Sequence, residues 1–179
     1  EALLAGAKAL VKQAAILIKE NEKDIKGAEK AKLSSAMIDR LRLDAKRVEG
    51  MARGLQEVAA LPDPVGRVLE SRTRPDGLAI SKVRVPLGVI FMIYESRPNV
   101  TADSAGLCLK SGNAAILRGG KEALYSNRAI AKILQSAFAE VGIPKNAVQL
   151  VGTTEHKAVN FLLQCDEEIN LVIPRGGEN

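Results

Sequence analysis

Four short runs in the second half of the chain are apolar almost without interruption: VIFMIY (Val89 to Tyr94), AAIL (Ala114 to Leu117), VQLV (Val148 to Val151) and INLVI (Ile169 to Ile173). Segments with helical spacing separate them. A strand that is apolar on both faces must be covered on both, as in a parallel sheet whose crossovers are helices. The clearest crossover has Ser126 ahead of Ile130, Ile133, Leu134, Ala137, Phe138 and Val141, then Gly142 and Pro144, which are start and stop signals of a helix. Such βαβ connections are right-handed. Residues 88–179 therefore read as most of a Rossmann-like α/β nucleotide-binding sheet, with the sequence stopping just after its fourth strand.

Upstream the pattern is helical. Leu3, Leu4, Ala7, Leu10, Val11, Ala14, Leu17 and Ile18 recur as one apolar face, so the chain opens inside a helix. Asn21 is expected to cap a second, charged helix with Asp24 at its third position, Ser34 or Ser35 a third, and Asp44 a fourth that buries Val48, Met51, Leu55 and Val58. This helical segment, residues 1–66, ends at LPDPVG, where two prolines and a glycine cannot continue a helix. Residues 67–87 read as a β-hairpin or arm, in which Val68 to Arg74 and Leu78 to Val85 flank a Pro75-Asp76-Gly77 turn. An exposed edge of that kind invites pairing, and a homo-oligomer is expected.

Composition excludes several classes of function. The 179 residues are 46% hydrophobic and 26% charged, enough to bury a core and keep a solvated surface. No apolar run reaches the roughly 20 residues of a membrane span, and no secretory leader is visible, so no membrane partner is expected. Cys108, Cys165 and the single His156 lie too far apart for a zinc site or a disulfide framework, which fits a reducing, cytoplasmic setting. Although 26 Lys and Arg exceed 21 Asp and Glu, the lysines are scattered and aromatics are 3%, so no nucleic-acid partner is expected.

In an open parallel sheet, ligands sit beyond the carboxyl ends of the strands, where helix N-termini present free N–H groups. The four loops there are Glu95 to Asn99, Arg118 to Lys121, Gly152 to Thr154, and Pro174 to Gly177. Three carry a basic residue, two carry paired glycines and one carries hydroxyls, a surface suited to phosphates. Taken singly, each loop is also explained by a turn with a solvated cation; their common edge favours a phosphate-bearing ligand. No GxGxxG follows the first strand and no GxxxxGK[ST] occurs, which disfavours ordinary Rossmann dehydrogenases and P-loop enzymes.

The run VPLGVIFMIYESRPNVTADSAGLCLKSGNAAILRGGKEALYSNRAI (Val85 to Ile130) and LVIPRGGE (Leu171 to Glu178), with MIDRLRLDAKRVEGMA and DPVGRVLE before them, closely resembles the gamma-glutamyl phosphate reductase family of the aldehyde dehydrogenase superfamily. The resemblance implies NADPH-dependent reduction of L-glutamate 5-phosphate to L-glutamate 5-semialdehyde with phosphate release, in proline biosynthesis. It also implies a thiolate nucleophile in a catalytic domain downstream of this sequence, so the chain itself is expected to be inactive. The rival readings are another acyl phosphate or aldehyde dehydrogenase, and a non-catalytic nucleotide-binding or oligomerisation module.

By the same resemblance, Arg118, Gly119, Gly120 and Lys121 hold the NADPH ribose or its 2′-phosphate, and Gly176 and Gly177 form the turn near its pyrophosphate. Arg175 faces cofactor phosphate or substrate. In the first loop either Asn99 stabilises the oxyanion or Arg97 grips the acyl phosphate. Cys108 and Cys165, each beside helical leucines, read as small buried hydrophobes. His156 reads as a residue of a helical first turn, and Glu95 as a carboxylate that orients Arg97 or acts on a proton.

Overall fold

Apolar spacing in the first sixty residues produces four helices, α1 (Ala2–Lys12), α2 (Ala14–Lys30), α3 (Ser35–Leu41) and α4 (Ala45–Ala60), in a computed structural model that describes residues 1–176. Ser34 caps α3 by accepting from Met37 N, and Asp44 caps α4 by accepting from Arg47 N at 2.7 Å. Asn21 does not cap. Helix α2 runs through it, and the break between the first two helices falls at Gln13. The buried Asn21 amide donates to the Leu41 carbonyl at 2.8 Å and to the Ser126 hydroxyl at 2.9 Å, while its carbonyl accepts from Leu43 N at 2.7 Å. Three partners outside its own helix stabilise that side chain more than one capping bond would.

Residues beyond the Pro-rich elbow form a hairpin of β1 (Val68–Thr73) and β2 (Ala79–Val83), antiparallel and exposed at every strand position. The second half supplies β3 (Val89–Tyr94), α5 (Asn99–Lys110), β4 (Ala114–Arg118), α6 (Leu124–Ala139), β5 (Val148–Leu150), α7 (His156–Leu162) and β6 (Leu171–Arg175). The four strands are parallel, in the order β5-β4-β3-β6. Three details differ from expectation. Strand β5 is a three-residue edge whose Gln149 faces solvent; Ile169 is buried ahead of β6 rather than within it; and Ser126 lies inside the first turn of α6 rather than before it.

One apolar cluster joins the two halves of the chain. It contains Leu3, Leu10 and Leu17 of the first two helices, Val48 and Leu55 of α4, Ile90 and Tyr94 of β3, Leu117 of β4, and Ile130 and Leu134 of α6. Helix α1 packs on both α4 and α6, so the N-terminal helices form a further layer over the crossover helices.

Entry into β3 is pinned by two asparagines. The Asn113 carbonyl accepts from Leu87 N at 2.6 Å and Gly88 N at 2.9 Å, and the Asn170 carbonyl accepts from Val89 N at 2.8 Å. Gly88 has φ +120°, and a Cβ there would run into the Asn170 carboxamide. Gly88→Ala is therefore expected to lower stability by about 2–4 kcal/mol, read as a shift of the urea midpoint at unchanged slope. An unshifted midpoint would show that Asn170 yields freely.

The chain steps outward from β3 to β4 to β5, and then returns to place β6 on the opposite flank of β3. The connection leaving β3 runs to β4 on one flank while β6 lies on the other, and a crevice opens at the carboxyl ends of these strands.

Candidate functional site

The tips of β3, β4 and β6 converge on a cleft of about 860 Å³. The first loop supplies Glu95, Ser96 and Arg97, the second Arg118, Gly120 and Glu122, and the fourth Pro174, Arg175 and Gly176. His156 enters from the start of α7, and Met37 and Arg40 from α3. Four arginines against two carboxylates make this a predominantly cationic lining.

Arg118 is the most constrained of these cations. Its Nη2 donates to the Thr154 carbonyl at 2.9 Å, which fixes the guanidinium against the third loop. Its Nε is buried and, among the described residues, has no acceptor. A buried donor in that state is unfavourable until something accepts from it. Ser96 Oγ donates to Glu122 Oε2 at 2.7 Å and ties the first loop to the second.

The glycine pair after β4 has a local cause. Beneath it, Thr101 Oγ1 donates to Asn127 Oδ1 at 2.9 Å, which leaves Thr101 to accept from the Tyr94 hydroxyl at 2.8 Å. A Cβ on Gly119 would collide with Asn127 and stand 2.9 Å from the Tyr94 ring; one on Gly120 would stand 2.9 Å from both Ser96 Oγ and Glu122 Oε2. Burial pushes the Tyr94 hydroxyl up to about 12, partly offset by its hydrogen bond with Thr101, so it stays neutral. Gly176 packs on Glu95, whose carboxylate would lie 3.0 Å from an added Cβ.

The expected site residues separate into groups. Arg97, Arg118, Gly120, Arg175 and Gly176 share the cleft. Lys121 is exposed and lies outside its lining, because the chain turns into a short 3₁₀ segment at Lys121–Ala123. Asn99 also lies outside it: as the first residue of α5, it donates from its amide to Asp103 Oδ2 at 3.0 Å. Gly177 falls outside the described residues. Of the third loop, Thr154 acts through its backbone, and no hydroxyl of Gly152 to Thr154 lines the cleft. Met37, Arg40 and Glu122 were not anticipated. Glu122 was findable from its place in the second loop, whereas nothing local announces the α3 residues.

Neither described cysteine is poised as a nucleophile. Cys108 is buried in α5, and burial pushes its thiol up to about 11. Cys165 is half-buried rather than buried, its thiol directed at the Phe161 carbonyl at 3.4 Å. Native protein treated with a thiol reagent at neutral pH is therefore expected to be modified at Cys165 first and at Cys108 more slowly, because burial both shields the Cys108 thiol and disfavours its thiolate. Peptide mass mapping of the time course checks this, and equal rates would contradict the burial of Cys108. Among the described residues no group of His, Cys, Asp and Glu could hold a metal, and no helix is long and apolar enough to cross a membrane.

Comparison with known proteins follows the same outline. Residues 5–179 match the aldehyde dehydrogenase family. A gamma-glutamyl phosphate reductase of Rhodopirellula baltica is 55% identical over 177 residues, covering 99% of this chain and 41% of that protein. The solved gamma-glutamyl phosphate reductase of Thermotoga maritima is 41% identical with a TM-score of 0.96, covering 99% of this chain and 43% of that one. The solved enzyme of the same name from Saccharomyces cerevisiae is 38% identical with a TM-score of 0.90, covering 99% and 45% respectively. This sequence thus spans about 41% of the length of the curated relatives it matches. On the extent of the family match, and with the parallel sheet and strand-tip cleft already in hand, the chain belongs to the aldehyde dehydrogenase family.

Proposed function

We propose that this sequence is the cofactor-holding portion of an enzyme that uses NADPH to reduce L-glutamate 5-phosphate to L-glutamate 5-semialdehyde, releasing phosphate, in proline biosynthesis in the cytoplasm. One observation carries the reading. Cations from three strand tips share a single crevice, Arg118 among them with a buried Nε that no described residue satisfies, in a chain whose relatives at 55% identity bear that reductase's name.

The residues present fit a dinucleotide. Its phosphates are multiply charged acceptors, and the cleft offers guanidinium donors beside glycine backbone at Gly120 and Gly176. Arg118, Gly119 and Gly120 would hold the adenosine ribose or its 2′-phosphate, with Lys121 at the solvent rim, and Gly176 and Gly177 would lie along the pyrophosphate. When bound, the nicotinamide supplies a hydride. Arg97 and Arg175 would neutralise the substrate's phosphate and stabilise it as a leaving group. Of the two candidates in the first loop, Arg97 is favoured, because the Asn99 amide is already bonded to Asp103. In this reading residues 88–179 are the cofactor domain, residues 1–66 the helical segment packed on it, and residues 67–87 an arm through which copies assemble.

The test is to assay the complete polypeptide that carries this sequence with L-glutamate 5-phosphate. NADPH oxidation dependent on that substrate, with one phosphate released per NADPH, is the expected result. Failure to oxidise NADPH, or equal use of acetyl phosphate, would overturn the assignment.

A further inference from the structure

Among the described residues the exposed Arg97 side chain forms no ion pair, so its guanidinium takes its place from the backbone that carries it. That backbone is a tight turn. Arg97 N donates to the Glu95 carbonyl at 2.9 Å, which puts Ser96 at the apex, and Val100 N donates to the Arg97 carbonyl at 3.1 Å where α5 begins. From the apex the half-buried Ser96 hydroxyl reaches out of its own loop to Glu122 Oε2, 2.7 Å away. An ionised carboxylate can only accept, so the hydroxyl is the donor, and a charge-assisted bond of this kind is among the stronger ones.

The acceptor stands on a firm base. Glu122 is the middle residue of the 3₁₀ segment at Lys121–Ala123; Ala123 beside it is fully buried, and the Ala123 N–H donates to the Gly120 carbonyl at 3.2 Å. Gly120 packs against the bond itself, since a Cβ there would stand 2.9 Å from both of its oxygens and 3.2 Å from Ser96 N. The cleft is lined mainly by arginines and suited to anions, so the charge of a carboxylate in it opposes binding. What Glu122 supplies in return is its hold on Ser96.

We infer that Ser96 and Glu122 are positioning residues for Arg97: the loop that meets the cofactor reaches across the crevice and sets the arginine that meets the substrate's phosphate. This assignment rests on the functional reading above and deepens it, because both side chains act through Arg97 rather than on the reacting atoms. Misplacing a phosphate-binding guanidinium by about 1 Å is enough to lose its paired hydrogen bonds.

The experiment uses the complete polypeptide in the oxidative direction, with NADP, L-glutamate 5-semialdehyde and varied inorganic phosphate, so that KM for phosphate reports on Arg97. Ser96→Ala is expected to raise that KM about tenfold, with KM for NADP and for the semialdehyde within about twofold of wild type. Ser96→Thr keeps the hydroxyl and is expected to stay within about threefold on phosphate. In a Glu122→Ala background the same Ser96→Ala change is expected to cost about twofold or less, since its acceptor is already gone. Arg97→Gln is expected to raise KM for phosphate at least as much as Ser96→Ala does. A phosphate KM unmoved by Ser96→Ala or by Arg97→Gln, an equal rise in all three KM values, or a full Ser96→Ala loss without Glu122 would overturn this inference alone. A wild-type protein with no phosphate-dependent reduction of NADP would overturn the functional reading and this inference with it.

Discussion

Charge reversal at Arg118 is expected to weaken NADPH binding about a hundredfold and NADH binding tenfold or less, measured by fluorescence titration of the complete polypeptide. The asymmetry follows from what the two cofactors share. Both lose the part of the site that Arg118 shapes, because its Nη2 anchors the third loop through the Thr154 carbonyl. Only NADPH also brings a 2′-phosphate, which would meet a carboxylate in place of a guanidinium at the tip of β4. Arg118→Lys is expected to fall between wild type and Arg118→Glu for NADPH, since a point charge replaces a two-armed donor. Equal losses for both cofactors would remove the 2′-phosphate from this loop and leave Arg118 as an anchor of loop geometry.

The second large effect lies in the packing between α2 and α6. Asp24, buried in α2, accepts from Tyr125 N at 3.1 Å, from Ser126 N at 2.8 Å and from Ser126 Oγ at 2.6 Å. It thereby caps α6 from another helix, doing across 102 residues what a local Ser or Asp does at an ordinary N-terminus. Ser126 in turn accepts from Asn21, so removal of the carboxylate loosens both partners. Asp24→Ala is expected to cost about 3 kcal/mol in denaturant unfolding, and Asp24→Asn, which keeps one acceptor, about half of that. A cost below about 1 kcal/mol for the alanine variant would show that water replaces the cap without penalty.

The pH dependence of that cost has a definite sign. Burial raises the Asp24 pKa above its ordinary value, against the opposing hydrogen bonds from Ser126 and Tyr125, and Glu20 raises it further. The folded state therefore holds this proton more tightly than the unfolded chain does, so stability from this group is fully present below the unfolded pKa and declines as pH rises through the folded one. The gap between wild type and Asp24→Ala should accordingly be wider in mildly acidic buffer than at neutral pH. Paired denaturant curves at the two conditions check it, and the opposite trend would mean that the hydrogen bonds outweigh desolvation.

How much was legible in advance depended on the range of the forces involved. Continuous apolar runs announced β3, β4 and β6, because a strand covered on both faces leaves no room for polar residues. Strand β5 was overread, since an edge strand with Gln149 outward satisfies the same apolar count over three residues. The caps at Ser34 and Asp44 were legible because each bonds an N–H three residues on. Asn21 and Asp24 were not, because their partners lie 20 to 105 residues away and a side chain's choice between a near donor and a distant one is settled only when helices dock. The same limit applies at the cleft. Arg97, Arg118, Arg175 and Gly176 follow from the rule that parallel strands gather their carboxyl ends, whereas Arg40 arrives from α3 and Lys121 is turned outward by a 3₁₀ segment.

By itself, then, the sequence determined the element types, the parallel sense of the sheet and the set of residues at its strand tips, all of which follow from local periodicity and chirality. Tertiary structure alone decided that β6 returns to the far flank of β3, that the N-terminal helices seal the core, and that Arg40 of α3 reaches the strand-tip cleft. The physical reason is that strand order and inter-helix hydrogen bonds are chosen by competition among burial arrangements that look alike within any one segment and differ only when all the segments are packed together.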